Sequence, residues 1–463
     1  MKKGIILLLG IIICLSLHGT GISKSIPVLY VNTTEGEPIT SKDVYVGGSY
    51  YLETFGYKGY ENIGSEDSPL PLQIRYRGNW TLKKFDKKPY KIKFGSKTEI
   101  LGMKKNKHFA LLAHADARRG FLRNTVGFEI SRLMGMDFTS EQRPVELVLN
   151  GSYEGLYFLT ETVRVDKNRL EIDEQKDLEE DPAIIANGGW LVELDNYEDP
   201  NQIVFNVEGT TLPCLWVTYH TPENLSTQQK DYLSSEFESI LAILRMQDYE
   251  SDNMERLVDF DELAKYYLCS EIVDHQEAFL GSCFLHKDKG GKWRFGPVWD
   301  FGTAFIETHD KNKFIYEDNV FGNAGLIEYF IKFPKFEETV KSLYQHFRKE
   351  YYEYLFPFID DFISEIKDAA ISNSERWPQY GNGDIIERGE YVKDCLRQKI
   401  SYLDSKWGGQ VSGMETLQHA DSSERLYDVW GNCWNKSLKD KQSLPSGIYI
   451  RKGNGNYKKY VVH

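Results

Sequence analysis

The sequence predicts an α+β protein, in which a β-rich lobe is followed by a helix-rich lobe and by a small β tail. Residues 26–94 contain short runs that alternate between apolar and polar residues, a period of two that is typical of strands with one buried face. Farther along the chain, apolar residues recur at helical spacing. Residues 444–462 return to strand-forming aromatic and β-branched side chains. These three patterns indicate two lobes of different class, without an internal repeat.

The first lobe is expected to contain one helix and several strands. The strand over residues 89–94 places its large apolar side chains on one face, and Lys91 and Lys93 on the other. A helix with a single apolar stripe is predicted over residues 120–135. The pair Asn150-Gly151 between two apolar runs predicts a hairpin. The strands of this lobe are predicted over residues 27–31, 43–46, 72–77, 89–94, 145–149 and 155–161.

The second lobe follows an acidic, exposed loop over residues 171–182 and begins with a strand at 190–194. Asp259 precedes one of its helices, and Glu262 follows three residues later at the spacing of a capping box. The helices are predicted over residues 226–247, 259–273, 335–372 and 384–406.

The chain of 463 residues is long enough to bury a large core and to form more than one unit. The patterns divide it into a signal peptide, a β-rich lobe, a helical lobe and a tail. The corresponding ranges are 1–23, 24–175, 176–410 and 411–463.

The first of these segments has the features of a secretion signal. Lys2 and Lys3 precede the apolar run 4–17, which is too short to span a bilayer comfortably, and small residues follow it. Two isoleucines precede Cys14 where a lipidated cysteine would follow small residues, so cleavage without lipidation is favoured. No later segment approaches the length of a transmembrane helix. We therefore expect an exported protein, in the periplasm, at the cell surface or outside the cell.

Charge and cysteine content exclude other classes. The net charge is −13, and it becomes −15 once Lys2 and Lys3 are removed. Nucleic acid requires clustered cations, so it is not an expected partner. Five of the six cysteines lie outside the signal peptide, scattered and without metal-ligand spacing. They indicate neither a metal site nor a disulfide scaffold.

The most informative segment starts with the His-Gln-Glu sequence at His275. Ser282 lies five residues after Glu277, and a hairpin whose return strand covers 293–299 then leads to Asp300 of an Asp-Phe-Gly sequence. At these offsets protein kinases place a base for the acceptor hydroxyl, a metal ligand, and the Asp that holds the metals bridging the nucleotide phosphates. We predict that Glu277 and Asp300 are the catalytic residues, and that Asp300 and Ser282 bind metal.

Two other interpretations of this segment stay open. Asp300 could cap the end of a strand while Glu277 is merely solvated. Alternatively, the loop could have a different register, in which Asp274 reaches the cleft as the base and Glu277 does not. In either case, His275 is expected to hold the loop together rather than to take part in the chemistry.

Nucleotide phosphates require cations and hydrogen-bond donors from the first lobe, and one lysine paired with an acidic residue. No glycine-rich loop precedes Lys91, so the turn at Gly78 is the candidate cover for the phosphates. Lys88 is a third choice for the lysine, and Arg123 either contacts phosphate or bridges the lobes. The predicted nucleotide-binding residues are Lys91, Lys93, Glu129, Arg77, Asn79 and Glu161.

Several separated motifs between roughly residues 70 and 310 resemble those of the spore-coat-protein-H (CotH) kinase family, whose members are secreted or surface proteins with a divergent, bilobal kinase-like fold. They are Arg77-Gly78-Asn79-Trp80-Thr81, Lys87-Lys88-Pro89-Tyr90-Lys91-Ile92-Lys93-Phe94, Leu122-Arg123-Asn124, Asn150-Gly151-Ser152-Tyr153-Glu154-Gly155-Leu156-Tyr157 with Glu161, and Gly296-Pro297-Val298-Trp299-Asp300-Phe301.

This resemblance implies that ATP and Mg²⁺ or Mn²⁺ bind, and that phosphate is transferred to a Ser or Thr hydroxyl of a protein whose identity the sequence does not reveal. The family's metal-binding Asp falls on Asp300. Its catalytic Asp falls on Glu277, where the extra methylene displaces the carboxylate, and such misplacement can slow a reaction on the order of a hundredfold. The alternative is therefore a non-catalytic, pseudokinase-like surface or envelope protein.

The tail resembles a second kind of module. Its sequence Leu444-Pro445-Ser446-Gly447-Ile448-Tyr449-Ile450 is similar to the C-terminal sorting domain of Bacteroidota type IX secretion cargo. This likeness covers only the last few dozen residues, and it agrees with an exported protein.

Overall fold

A computed structural model of the protein describes residues 21–116, 121–207, 214–380 and 384–408, together with strand segments of the tail between residues 425 and 462. The chain begins with seven strands that form a closed barrel, in the spatial order β1-β2-β3-β4-β5-β7-β6. All neighbouring strands are antiparallel except β1 and β6, which are parallel. The strands are β1 Val28–Thr33, β2 Val46–Glu53, β3 Leu70–Tyr76, β4 Tyr90–Ile100, β5 Met103–Leu112, β6 Gln142–Leu149 and β7 Ser152–Glu161.

Alternation along these strands determines which side chains fill the barrel. Ile92 and Phe94 of β4 point inward, whereas Lys91 and Lys93 lie on the outer face, as the sequence predicted. The closure of the barrel was not predicted. The interior is filled by large apolar side chains from every strand, among them Leu29, Leu52, Ile74, Ile92, Phe94, Phe109, Leu111, Leu147, Tyr157 and Leu159.

Two short helical elements accompany the barrel. Helix α1, Trp80–Lys84, joins β3 to β4, and helix α2, Leu122–Leu133, joins β5 to β6. The second confirms the helix predicted over residues 120–135. Ten of its twelve residues are buried, because it packs between the barrel and the helices of the second half of the chain.

A second sheet of five strands occupies the part of the chain expected to be mainly helical, in the order β12-β11-β8-β10-β9. The strands are β8 Trp190–Leu194, β9 Gln202–Phe205, β10 Leu215–Thr221, β11 Cys283–Lys287 and β12 Arg294–Phe295. The strand expected over residues 293–299 is only two residues long. Pro297 has no N–H for a ladder hydrogen bond, so the segment leading to Asp300 is irregular.

Helices surround this sheet. They are α3 Pro182–Asn187, α4 Thr227–Met246, α5 Asn253–Leu257, α6 Phe260–Ile272, α7 Ile327–Phe330, α8 Pro334–Glu350, α9 Leu355–Arg376 and α10 Ile385–Trp407. Ser226 and Asp259 cap α4 and α6 through their side chains. The single helix expected over residues 335–372 is two helices, because Pro357 fits in the first turn of a helix but not in its interior.

The tail contains a four-stranded antiparallel sheet in the order β14-β13-β15-β16, with β13 Arg425–Asp428, β14 Cys433–Trp434, β15 Gly447–Gly453 and β16 Asn456–Val462. The predicted signal peptide falls largely outside the described residues. Within the described part of the chain, no helix combines the length and the apolar character needed to cross a membrane. The α+β class is confirmed.

Candidate active site

The catalytic loop predicted from the sequence lies between α6 and β11, and a buried ion network anchors its first residue. Asp274 is 1% exposed, and its two carboxylate oxygens contact His309 Nδ1 at 2.8 Å, Lys311 Nζ at 2.8 Å and Lys399 Nζ at 3.0 Å. Burial alone would raise the pKa of Asp274, but the hydrogen bond from His309 and the two lysine charges outweigh burial and hold the pKa below its usual range. Asp274 is therefore a structural anchor and does not reach the cleft.

Glu277, three residues later, is only partly buried. Its Oε1 accepts a hydrogen bond from Asn196 Nδ2 at 3.0 Å. Its backbone N–H donates to Thr303 Oγ1 at 3.2 Å, and the same hydroxyl contacts His275 Nδ1 at 2.8 Å. Thr303, just after the Asp-Phe-Gly sequence, thus ties this sequence to the loop. His275 has the holding role that the sequence predicted.

Asp300 begins the Asp-Phe-Gly segment, which is clamped to helix α2. Asn124 Oδ1 accepts a hydrogen bond from the N–H of Phe301 at 3.1 Å, and Arg123 donates to the carbonyl of Gly302. A Cβ on Gly127 would lie 2.4 Å from the ring of Phe301. Only glycine at this position allows that ring to pack against the helix, so α2 determines where the Asp300 backbone lies.

Four carboxylates come together around this segment, and we call Glu193, Asp195, Glu277 and Asp300 the acidic group. Asp300 is exposed to solvent although protein atoms surround it closely, as expected for a group at the floor of a cleft. Burial, followed by the charges of Asp300 and Asp195, raises the pKa of Glu277. Burial, followed by the charge of Glu193, raises the pKa of Asp195 to about 6. Carboxylates that repel one another in this way favour a bound cation.

Four basic residues lie close together on and beside the barrel strands, and we call Arg75, Arg77, Lys91 and Arg164 the cationic face. Arg75 and Lys91 are directly opposite each other on β3 and β4. Arg77 follows β3, and its guanidinium lies 5.5 Å from the ring centre of Trp299. Burial lowers the pKa of Arg77, and the charges of Asp300 and Glu193 act in the opposite direction. Arg77 is therefore the member of the cationic face that lies near the acidic group, through Asp300 and Glu193.

The cations of this face repel one another. Burial, followed by the charges of Arg75, Arg77 and Arg164, lowers the pKa of Lys91 to about 8, although Glu223 acts in the opposite direction. Among the described residues, none of the four forms an ion pair, and the buried Nε atoms of Arg75 and Arg164 have no hydrogen-bond partner. Unpaired, partly buried cations of this kind fit a phosphate-bearing ligand.

The described residues contain no group of three or more His, Cys, Asp or Glu side chains arranged as a ready-made metal site. Magnesium is commonly held by one or two carboxylates that are completed by substrate phosphates and water. Asp300, whose charge acts on Arg77, has the donor chemistry for a metal ion held in that way.

Glu129 and Glu161 are the two candidate acidic partners for a lysine of β4, and in the structure each pairs with a different cation. Glu129 forms an ion pair with Arg132 on the next turn of α2 and accepts a hydrogen bond from Tyr354 at 3.1 Å. Glu161 is buried at the end of β7 and pairs with Arg169 at 2.7 Å, and burial raises its pKa to about 7. Both acids have nearer cations of their own, so the expected pairing with Lys91 or Lys93 is not formed.

The remaining candidates lie at the margins of the cleft. Asn79 precedes α1 and its Oδ1 accepts a hydrogen bond from Lys42 at 2.8 Å. Lys93 is one row farther along the sheet than Lys91, opposite His108. Lys88 donates to two backbone carbonyls of the α1 region. Ser282 directly precedes β11 and is partly buried.

Sequence reasoning missed four residues of the site. Arg75 shares the outer face of its strand with Arg77, and that alternation was a usable signal. Glu193 and Asp195 lie at the end of β8, a strand that was predicted without a role. Arg164 follows β7 in an irregular segment, and nothing in its local sequence indicates that it returns to the cleft.

Comparison with known proteins adds one finding to this geometry. None of the curated proteins matches the chain significantly. The model of one family, described as CotH kinase protein, matches residues 74–403, which include the cationic face and the acidic group. That match covers well over half of the chain and agrees with the resemblance carried by the motifs. This chain belongs to the CotH kinase protein family.

Proposed function

We propose that the protein is an exported kinase-type phosphotransferase, which uses ATP with Mg²⁺ or Mn²⁺ to phosphorylate a Ser or Thr hydroxyl of another protein. The observation that carries the proposal is the approach of Arg77, on the cationic face, to Asp300 and Glu193 of the acidic group, which we take as the two sides of one cleft. Phosphoryl transfer depends mainly on positioning and on neutralising charge, and such a cleft supplies both. Membership of a kinase family agrees with this chemistry.

In this proposal, Arg77 and Lys91 hold the phosphates of the donor, and Asp300 holds the divalent cation that screens them. Glu277 accepts the proton of the acceptor hydroxyl, while Asn196 fixes the orientation of its carboxylate. The raised pKa of Glu277 brings it closer to that of an effective base near neutral pH. Thr303 and His275 keep this base at a fixed position relative to the Asp-Phe-Gly segment.

The larger organisation is part of the same proposal. The barrel, with α2, acts as the nucleotide-binding lobe over residues 24–175, and the second sheet with its helices acts as the catalytic lobe over residues 176–410. Residues 1–23 direct export to the periplasm or beyond, and the tail from residue 411 serves in sorting. The strong negative charge of the chain supports a protein acceptor rather than a nucleic acid.

The experiment is an autophosphorylation assay with ATP labelled at the γ-phosphate, in the presence and absence of Mg²⁺ or Mn²⁺. We expect label on Ser or Thr that depends on metal, and its loss in Arg77→Gln. The control Lys367→Gln removes an exposed lysine of α9 from outside the cleft and should leave the labelling unchanged. Absence of labelling under every condition would reject transfer to the chain itself, and an added mixture of exported proteins would then test transfer to another protein.

The second candidate is a pseudokinase-like protein that binds nucleotide without transferring phosphate. It is supported by the Glu at position 277, where the family pattern implied by the sequence has Asp. This candidate predicts that ATP and metal bind to the wild type while no label is transferred to any acceptor. Recovery of transfer in Glu277→Asp would then identify the longer side chain as the cause.

A further inference from the structure

The cationic face continues beyond the residues needed for the phosphates of ATP. Lys93 lies two residues after Lys91 on the same outer face of β4, and His108 of β5 is its cross-strand partner. Burial, followed by the charge of Arg164, lowers the pKa of His108 to about 4, so its ring is neutral at neutral pH, and its buried Nδ1 has no hydrogen-bond partner among the described residues. Basic groups thus follow one another along the barrel from Arg77 to Lys93, and the neutral ring of His108 lies at the end of the row.

The sheet register gives the length of this row. Arg77 donates its backbone N–H to Pro89, Arg75 is opposite Lys91, and Gln73 is opposite Lys93. Along the strands, Arg77 lies four residues from the Gln73–Lys93 pair, which corresponds to roughly 13 Å. Across the strands, β5 lies two strand spacings of about 4.8 Å each from β3. The row is therefore longer than a chain of three phosphoryl groups whose last member lies at Asp300.

The chemistry of the row also differs from that of a nucleoside site. A base and a sugar are uncharged, and their pockets are mostly apolar with a few polar groups. Beyond Arg77 this surface offers Arg75, Lys91, Arg164 and Lys93, and the structure gives none of these four cations an ion pair with a described residue. Such a row matches a ligand that carries negative charge along its whole length.

We propose that the cleft binds a linear polyphosphate chain longer than three phosphates, which extends from Asp300 and Arg77 along the outer face of β3, β4 and β5 to Arg164, Lys93 and His108. This inference rests on the proposed function only because it places one end of the polyphosphate at Asp300. Arg164 and Lys93, the two cations at the far end, recognise the additional phosphates.

Titration calorimetry with inorganic tripolyphosphate and with a longer linear polyphosphate tests the proposal, with Mg²⁺ present in every titration. We expect the longer chain to bind on the order of tenfold more tightly, because its additional phosphates form charge-assisted hydrogen bonds at the far end of the row. The double variant Lys93→Gln/Arg164→Gln should lose this gain, so that it binds both chain lengths with the same affinity. Arg77→Gln should weaken the binding of both.

A matched control separates this site from general attraction of a polyanion to a protein. Lys230→Gln/Lys367→Gln removes two exposed lysines of α4 and α9, outside the row, and should keep the full gain with chain length. Equal affinity for both chain lengths, or an unchanged gain in Lys93→Gln/Arg164→Gln, overturns the proposal. A parallel titration with Mg²⁺ and ATP reports on the proposed function, which stands if ATP binds while chain length has no effect.

Discussion

Replacement of Glu277 by Gln is the most informative single change in the catalytic loop. Gln has the same shape, and its Oε1 can still accept the hydrogen bond that Asn196 donates at 3.0 Å. What it lacks is the ability to receive a proton. A positioned general base contributes about 10²–10⁴-fold in rate, which corresponds to roughly 3–5 kcal/mol of the activation barrier. We expect transfer to fall by that factor, while nucleotide and metal binding persist.

The competing residue, Asp274, gives a contrasting result. Its carboxylate contacts Lys311 and Lys399 in the protein interior, so Asp274→Asn leaves these two lysines with too little compensating charge. Breaking a buried ion pair from one side typically costs 3–5 kcal/mol of stability. Asp274→Asn should therefore lower the free energy of unfolding by about that amount, whereas Glu277→Gln should leave it nearly unchanged.

Two measurements distinguish these outcomes. Denaturant titration gives the stability of each variant, and the autophosphorylation rate, measured only on folded protein, gives the activity. Wild-type activity in Glu277→Gln would refute the assignment of the base. A stable Asp274→Asn variant without transfer would assign the proton acceptor to Asp274 instead. Glu277→Asp should retain activity or increase it, because it restores the residue that the family pattern implies.

Three further predictions concern the surroundings of the site. Burial and neighbouring cations lower the pKa of Lys91 to about 8, so ATP affinity should be constant below that pH and fall as the pH rises above it. In Lys91→Arg the affinity should not change with pH over this range. A fall of equal size in that variant would contradict the reasoning. Gly127→Ala should displace Phe301, cost about 1–3 kcal/mol of stability and weaken metal-dependent ATP binding. Unchanged ATP binding in calorimetry would show that α2 does not determine the position of Asp300. Mass spectrometry of the exported protein should find its N-terminus between about residues 17 and 26, and an intact Met1 or a lipidated Cys14 would show that the leader was misinterpreted.

Local patterns predicted the elements of the fold better than their assembly. Helices α4 and α6 begin at the residues whose side chains cap them, and the faces of β4 follow from its alternation. The closure of the barrel depends on pairs such as β1 with β6, which are more than one hundred residues apart in sequence. Such pairing is decided by long-range packing, and no local signal reports it.

The residues of the site also differ in whether a local sequence pattern or only the tertiary structure reveals them. Glu277 and Asp300 come together, and they were predicted because their spacing follows a pattern with a chemical reason. Glu129 was predicted as a partner for a lysine from its place on the helix, yet the nearest cation to it is Arg132 on the same helix. Asp195 and Arg164 enter the site through folding alone. Residues of this kind follow from tertiary structure and not from a motif.

Metal-dependent stabilisation by ATP, compared between the wild type and Asp300→Asn, tests the central assignment most directly. A ligand at about one hundred times its Kd adds roughly 2.7 kcal/mol of stability. We predict a clear increase in Tm for the wild type when ATP and Mg²⁺ are both present. Asp300→Asn should have a ligand-free Tm close to that of the wild type and no increase that depends on Mg²⁺. An equal metal-dependent increase in both proteins would contradict the account.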